Sequence, residues 1–109
     1  MTRMHKDGVL LEIREILDKT EILAQLAEEA AELAQAALKL RRAIDGKNPT
    51  PKTILECEEH LNEEIADIWL CIREAGFSDD EHLMIQGEIM SAKHERWLSR
   101  LRKKEDREC

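Results

Sequence analysis

Apolar residues recur along this chain at steps of three and four, the spacing that lays a single stripe down an α-helix. Four such stretches follow one another. The first, from Val9 to about Leu17, puts Val9, Leu10, Ile13, Ile16 and Leu17 on one side and predicts a short helix. Asp18, with Glu21 three residues on, has the form of a capping box and opens a second helix. That helix is expected over about Lys19 to Asp45, along Ile22, Leu26, Ala30, Leu33, Ala37, Leu40 and Ile44. One bent helix through the junction is the alternative. Gly46 supplies a stop, and Asn48-Pro49-Thr50-Pro51 a loop. Thr50 then has the character of an N-cap, with Pro51 at the first helical position. A third helix is expected from Pro51 to about Ala75, along Ile54, Leu61, Ile65, Ile68 and Ile72, with Glu58 interrupting the stripe. Gly76 ends it. Ser78 with Glu81 makes a further capping box, and a fourth helix follows to about Lys104 along Ile85, Ile89, Met90, Trp97, Leu98 and Leu101.

Composition agrees with helices. Ala, Leu, Glu, Lys and Arg dominate, while the chain has two prolines, four glycines, one phenylalanine and no tyrosine. At 109 residues the expectation is a single all-α domain over residues 1–109, four-helix bundle-like. Charged residues make up 38%, but apolar residues reach 42%, enough burial capacity to argue against disorder. The net charge of −7 is uneven. Residues 93–109 hold seven basic and four acidic side chains (+3), leaving 10 basic and 20 acidic (−10) for residues 1–92. An acidic body disfavours a nucleic-acid partner, which needs a basic face. Cys57, Cys71 and Cys109 are odd in number and lack C-x-x-C spacing, so neither a disulfide framework nor a zinc site is expected. Met1 to Gly8 is polar and charged rather than signal-like, and no apolar run approaches the ~20 residues of a membrane span. A cytoplasmic setting with no membrane partner is the plain expectation.

Charge changes the picture most at two places. Glu29-Ala-Ala-Glu32 and Glu64-Ile-Ala-Asp67 each place two carboxylates three residues apart, on one helix face. With Glu29 set at zero and about 100° per residue, the apolar stripe of its helix falls between roughly 20° and 100°, and Glu32 about 60° the other way. With Glu64 at zero, Leu61, Ile65, Ile68 and Ile72 fall at roughly 40° to 100°, and Asp67 again about 60° the other way. Both pairs thus share one shoulder of their stripes. Helices packed through those stripes bring four carboxylates together at the rim of the core. Gln25 and Ala36 flank the first pair, and His60 and Cys71 the second; these short or uncharged side chains leave room for a ligand. Four converging carboxylates call for a hard divalent cation with oxygen ligands, such as Mg2+. The competing view is that each pair is an ordinary solvated helix face.

The residues around the pairs sharpen this. Leu26-Ala-Glu28-Glu29-Ala-Ala-Glu32-Leu33, followed by Glu63-Glu64-Ile-Ala-Asp67-Ile68, resembles the all-α nucleoside triphosphate pyrophosphohydrolases, and most closely their MazG-like branch. That branch carries E-x-x-E on one helix and E-x-x-D on the next, matched here by Glu29, Glu32, Glu64 and Asp67. Lys93-His-Glu-Arg96 is similar to a K-x-x-R late in many members. The likeness spans roughly Ile22 to Arg100. It departs in the 31 residues between Glu32 and Glu64, and in Ser91 and Ala92, where some relatives carry an asparagine.

The resemblance implies a MazG-type fold assembled as a homodimer or homotetramer. It also implies hydrolysis of a nucleoside triphosphate to a monophosphate and pyrophosphate, in nucleotide-pool cleansing. Glu29, Glu32, Glu64 and Asp67 would be the metal and catalytic residues, with Mg2+ as cofactor and Mn2+ as a substitute. Lys93, Arg96 and Arg100 would contact phosphate oxygens. The residues do not single out a general base; Glu32 is the working choice, with Glu29, Glu64 and Asp67 as ligands. Trp69 and Trp97 suit core or subunit packing, with base stacking the sharper option. Two other readings compete. A di-iron carboxylate bundle needs Glu-x-x-His pairs, and no Glu here has a histidine three residues later. A non-catalytic helical interaction or oligomerisation module remains the principal alternative.

Overall fold

The computed structural model describes the backbone of residues 3–4 and 10–11, and the full structure of residues 13–46 and 52–108. Four helices account for most of this: α1 (Ile13–Ile16), α2 (Lys19–Asp45), α3 (Ile54–Glu74) and α4 (Asp80–Glu108). Two two-residue strands, β1 (Arg3–Met4) and β2 (Leu10–Leu11), pair antiparallel with Arg3 opposite Leu11 and Met4 opposite Leu10. The fold class is all-α, as the stripes predict. No helix among the described residues is long and apolar enough to cross a membrane.

The first expected helix is shorter than its stripe. Leu10 and Leu11 belong to a strand, α1 begins at Ile13, and Val9 lies outside the described residues. One turn of helix does not sustain itself, so the segment yields to other pairing. Its C-terminal limit is set by Asp18, which is extended (φ −77°, ψ 169°) to cap α2. The cap rules out one bent helix through the junction. Asp18 Oδ1 accepts from the Glu21 amide at 2.9 Å, and Glu21 Oε1 accepts from the Asp18 amide at 3.2 Å. Thr20 Oγ1 donates to Asp18 Oδ1 at 2.6 Å. At the other end Gly46 takes the left-handed conformation (φ 66°) and donates its N–H to the Arg42 carbonyl at 2.9 Å.

Helix α3 starts later than Pro51. Thr53 is its N-cap, accepting from the Glu56 amide at 3.1 Å, while Glu56 accepts from the Thr53 amide at 3.3 Å. Thr50 and Pro51 lie outside the described residues. Thr53-x-x-Glu56 is a full capping box, whereas Thr50 has Thr53 at the reciprocal position, with no carboxylate to return the bond. Gly76 (φ 87°) turns the chain after α3. Helix α4 begins at Asp80, where the Asp79 carbonyl accepts from the Leu83 amide at 2.9 Å, and runs four residues beyond Lys104.

The chain divides into two compact units, one ending at Gly76 and one starting at Phe77. In the first, α2 and α3 form an antiparallel helical hairpin: early α2 (Ile22, Gln25) shares a pocket wall with late α3 (Leu70, Cys71, Glu74). Among the described residues, its buried apolar side chains are Ile22, Ala36, Cys57, Cys71 and Ala75. On α2, Ile22, Glu29 and Ala36 follow one another at intervals of seven, with Leu26 and Leu33 half-buried between them and Leu40 half-buried beyond. On α3, Cys57, Glu64 and Cys71 do the same. This is a heptad seam. It is rotated from the stripe read in the sequence: Ala30, Ala37, Ile44, Ile54 and Ile65 on that stripe are exposed. Small residues, Ala36 and the two cysteines, let the backbones approach along the seam. Glu58 interrupts the apolar stripe without harm, because the seam passes through Cys57 instead.

The second unit is α4 with its lead-in. Gln86 Nε2 donates to the Phe77 carbonyl at 2.8 Å, and the His82 ring meets Phe77 edge to face at 5.0 Å. His82 Nδ1 pairs with Asp79 Oδ1, and this hydrogen bond holds the Asp79 carboxyl below its usual range. No residue of α4 is buried.

Candidate metal centre

The seam places carboxylates where the sequence predicts a rim. Carboxylate oxygens of Glu29, Glu64 and Asp67 all lie within 4.8 Å of one another. Glu29 comes from the middle of α2, and Glu64 and Asp67 from adjacent turns of α3. Because Glu29 and Glu64 occupy seam positions, they sit in the helix interface itself, and Glu64 is only 7% exposed.

Neighbouring side chains hold the two seam acids by one oxygen each. Gln25 Nε2 donates to Glu29 Oε1 at 2.8 Å, one turn up α2. His60 Nε2 stands 3.3 Å from Glu64 Oε1, one turn back on α3. The second oxygens, Glu29 Oε2 and Glu64 Oε2, are buried without a hydrogen-bond partner. Buried polar atoms are ordinarily satisfied, because leaving one unmade costs its full desolvation. Two such atoms in one cluster of like charges is the opposite of a solvated helix face.

Electrostatics register the crowding. The Gln25 amide favours ionised Glu29 and pulls its pKa down, but desolvation and the charges of Glu32, Asp67 and Glu64 outweigh it, so the net shift is upward. Desolvation, reinforced by Glu29 and Asp67, likewise raises the Cys71 thiol.

The expected four carboxylates divide into three and one. Glu32 is exposed and is not among the three that converge, although its charge reaches Glu29. Gln25, His60 and Cys71, expected as neighbours of the pairs, do border them. Lys93, Arg96 and Arg100 lie in the second unit as an exposed stripe on one face of α4, with Arg100 Nε donating to the Arg96 carbonyl at 3.4 Å. Trp69 and Trp97 are 59% and 65% exposed, so neither packs in a core of this chain.

One acidic residue escaped the sequence reading. Glu74 is 7% exposed, at the end of the seam on α3. Its signal was the heptad: His60, Asp67 and Glu74 repeat at sevens, just as Cys57, Glu64 and Cys71 do. Glu74 Oε1 accepts from the Arg73 guanidinium at 3.3 Å, and Arg14 Nε of α1 lies 3.5 Å from Oε2.

The donor set, three carboxylates on two helices with two buried oxygens unpartnered, fits a hard, oxygen-liganded divalent cation. It does not fit zinc, whose structural sites favour Cys and His. Comparison with known protein families, with curated proteins and with solved structures finds no match to this chain.

Proposed function

We propose that this chain is a Mg2+-dependent nucleoside triphosphate pyrophosphohydrolase of the MazG-like kind, releasing a monophosphate and pyrophosphate. The observation that carries the reading is the pair of buried, unpartnered oxygens on Glu29 and Glu64, beside Asp67. Glu29, Glu64 and Asp67 would hold the ion, with Mn2+ as a substitute. Bound there, a divalent ion would supply Lewis acidity towards phosphate oxygens and water.

The remaining chemistry belongs to side chains of this chain. Gln25 and His60 each engage one oxygen of a seam carboxylate and so fix its orientation. Such partners of metal ligands tune affinity nearly as strongly as the ligands do. Glu32, exposed and outside the converging three, is free to accept the proton of the attacking water. Lys93, Arg96 and Arg100 provide cationic donors for phosphate oxygens and for charge developing on the pyrophosphate leaving group. The hairpin exposes Ile44, Leu55 and Trp69, and α4 exposes Met84, Met90 and Trp97. Apolar surface on this scale supports assembly as a homodimer or homotetramer.

The same exposed residues favour a second reading, a non-catalytic helical oligomerisation module. One experiment separates the two. Pure protein is incubated with a panel of ribo- and deoxynucleoside triphosphates in Mg2+, Mn2+ or EDTA, and the products are separated. Monophosphate plus pyrophosphate, lost in EDTA, supports the hydrolase. Diphosphate plus phosphate, or no turnover across the panel, counts against it.

A further inference from the structure

Building on the self-association proposed above, and independently of the hydrolysis, we infer that α4 pairs antiparallel with the α4 of a second copy of this chain. A helix is held mainly by packing an apolar face, yet α4 runs 29 residues with none buried. Its apolar residues are ordered along it. Leu83, Gly87, Met90, His94, Trp97 and Leu101 follow at alternating steps of four and three, the spacing of a coiled-coil seam. Leu83, Met90, Trp97 and Leu101 are all exposed. His94, Trp97 and Leu101, together with Leu98, line a groove of about 220 Å³.

Charge sets the direction. Residues 79–88 carry Asp79, Asp80, Glu81 and Glu88 and no lysine or arginine, a local −4. Residues 93–104 carry six basic side chains and one acidic, a local +5. Parallel helices would set like charge beside like along their whole length. Antiparallel helices set the acidic half of each against the basic half of the other.

Gly87 sets the register. Its backbone is not left-handed, and a Cβ there would meet no atom within 4 Å, so this chain by itself does not require glycine at the position. Glycine inside a helix is otherwise a cost. Pairing about a two-fold axis near Ala92 brings Gly87 opposite the partner's Trp97, Met90 opposite the partner's His94, and Leu83 opposite the partner's Leu101. The largest side chain of the seam then enters the hole left by the smallest. The paired stretch, Leu83 to Leu101, is about 27 Å long. Lys93 meets the partner's Lys93 near the axis, where the long stem lets each ammonium turn to solvent.

The test measures the mass of the full chain in solution by sedimentation velocity across a dilution series. The wild type should form a dimer or a tetramer. Trp97→Ala removes a central aromatic anchor and should weaken the α4 contact about thirtyfold or more. It should thus halve the mass at concentrations where the wild type stays assembled. Gly87→Leu should do the same by filling the hole, while leaving α4 at least as helical by circular dichroism. Direction is read by disulfide trapping in a Cys109→Ser background. Leu83→Cys mixed with Leu101→Cys should cross-link under mild oxidation, and neither variant should link to itself. A monomeric wild type overturns the proposal and the assembly with it, leaving the hydrolysis to its own assay. An assembly indifferent to both Trp97→Ala and Gly87→Leu overturns the α4 contact alone. Self-linking of either cysteine variant, or no mixed cross-link, overturns the antiparallel pairing, and this reading stands even if Gly87→Leu fails to fold.

Discussion

Replacing Glu64 by glutamine should make the metal-free protein more stable and the magnesium-loaded protein relatively less so. Glu64 is 7% exposed, its Oε2 has no hydrogen bond, and carboxylate oxygens of Glu29 and Asp67 lie within 4.8 Å. An unsatisfied buried acceptor costs about 1–3 kcal/mol. Glutamine keeps the shape, removes one of the three charges, and brings an N–H2 to the unpartnered Glu29 Oε2. The His60 contact, now made to a neutral amide oxygen, weakens and offsets part of this gain. A net stabilisation of about 1–2 kcal/mol in EDTA follows, or roughly 4–10 °C in Tm for a chain of this size. Saturating Mg2+ reverses the order. An ion at one hundred times its Kd stabilises the wild type by about 2.7 kcal/mol, while the variant, short of one anionic ligand, gains much less. Thermal unfolding followed by helical circular dichroism, with EDTA or Mg2+, reads both effects at fixed protein concentration. Destabilisation of Glu64→Gln in EDTA, or an equal magnesium shift in both proteins, would refute the argument that this carboxylate is held in the seam for a cation.

Three further expectations follow from the helix ends and the seam. Thr53→Ala removes the acceptor of the α3 capping box and should cost about 1 kcal/mol in urea unfolding, with serine at that position restoring most of it. Ala36→Leu inserts a large side chain at a seam position 1% exposed and should cost about 1–3 kcal/mol; unchanged stability would mean the helices do not meet there. Asp18 has its pKa lowered, first by the Thr20 hydroxyl and then by the Glu21 amide. Its contribution is complete above the ordinary carboxyl value of 3.8 and is lost as pH falls through the lower folded value, so Asp18→Ala should weaken the protein at neutral pH and flatten the acid end of its stability profile.

How much of this was legible in the sequence depended on whether a side chain or only packing carried the signal. Both limits of α2 were readable because residues announce them: Asp18 and Glu21 at one end, Gly46 at the other. The start of α3 was misplaced by preferring Pro51 to the Thr53–Glu56 box, a stronger reciprocal cap. Helix α1 was overextended because a stripe of aliphatic residues does not say that one turn is too short to persist. The acidic pairs were legible as pairs, but not their burial. Large aliphatic residues pull a helical wheel towards Ile65 and Ile54, while the hairpin buries its small residues, Ala36, Cys57 and Cys71. That rotation carries Glu29 and Glu64 inward, leaves Glu32 outside, and brings Glu74 into a pocket wall. Composition could not show it, because exposed aliphatics and buried cysteines look alike in a count.

The heptad seam has a consequence for alignment. A seam of small, repetitive residues offers α2 and α3 several nearly equivalent ways to lie along each other, since a slide of seven residues exchanges one cysteine or alanine position for the next. The acids remove that degeneracy. A slide of one heptad would set Glu29 beside Cys57 or Cys71, stranding its charge against a thiol, and would send Glu64 to face aliphatic side chains. Only the observed alignment gathers the charges where a single cation can answer all of them. An ion bound there would thus also act as the dowel that tells two otherwise slippery helices where to stop.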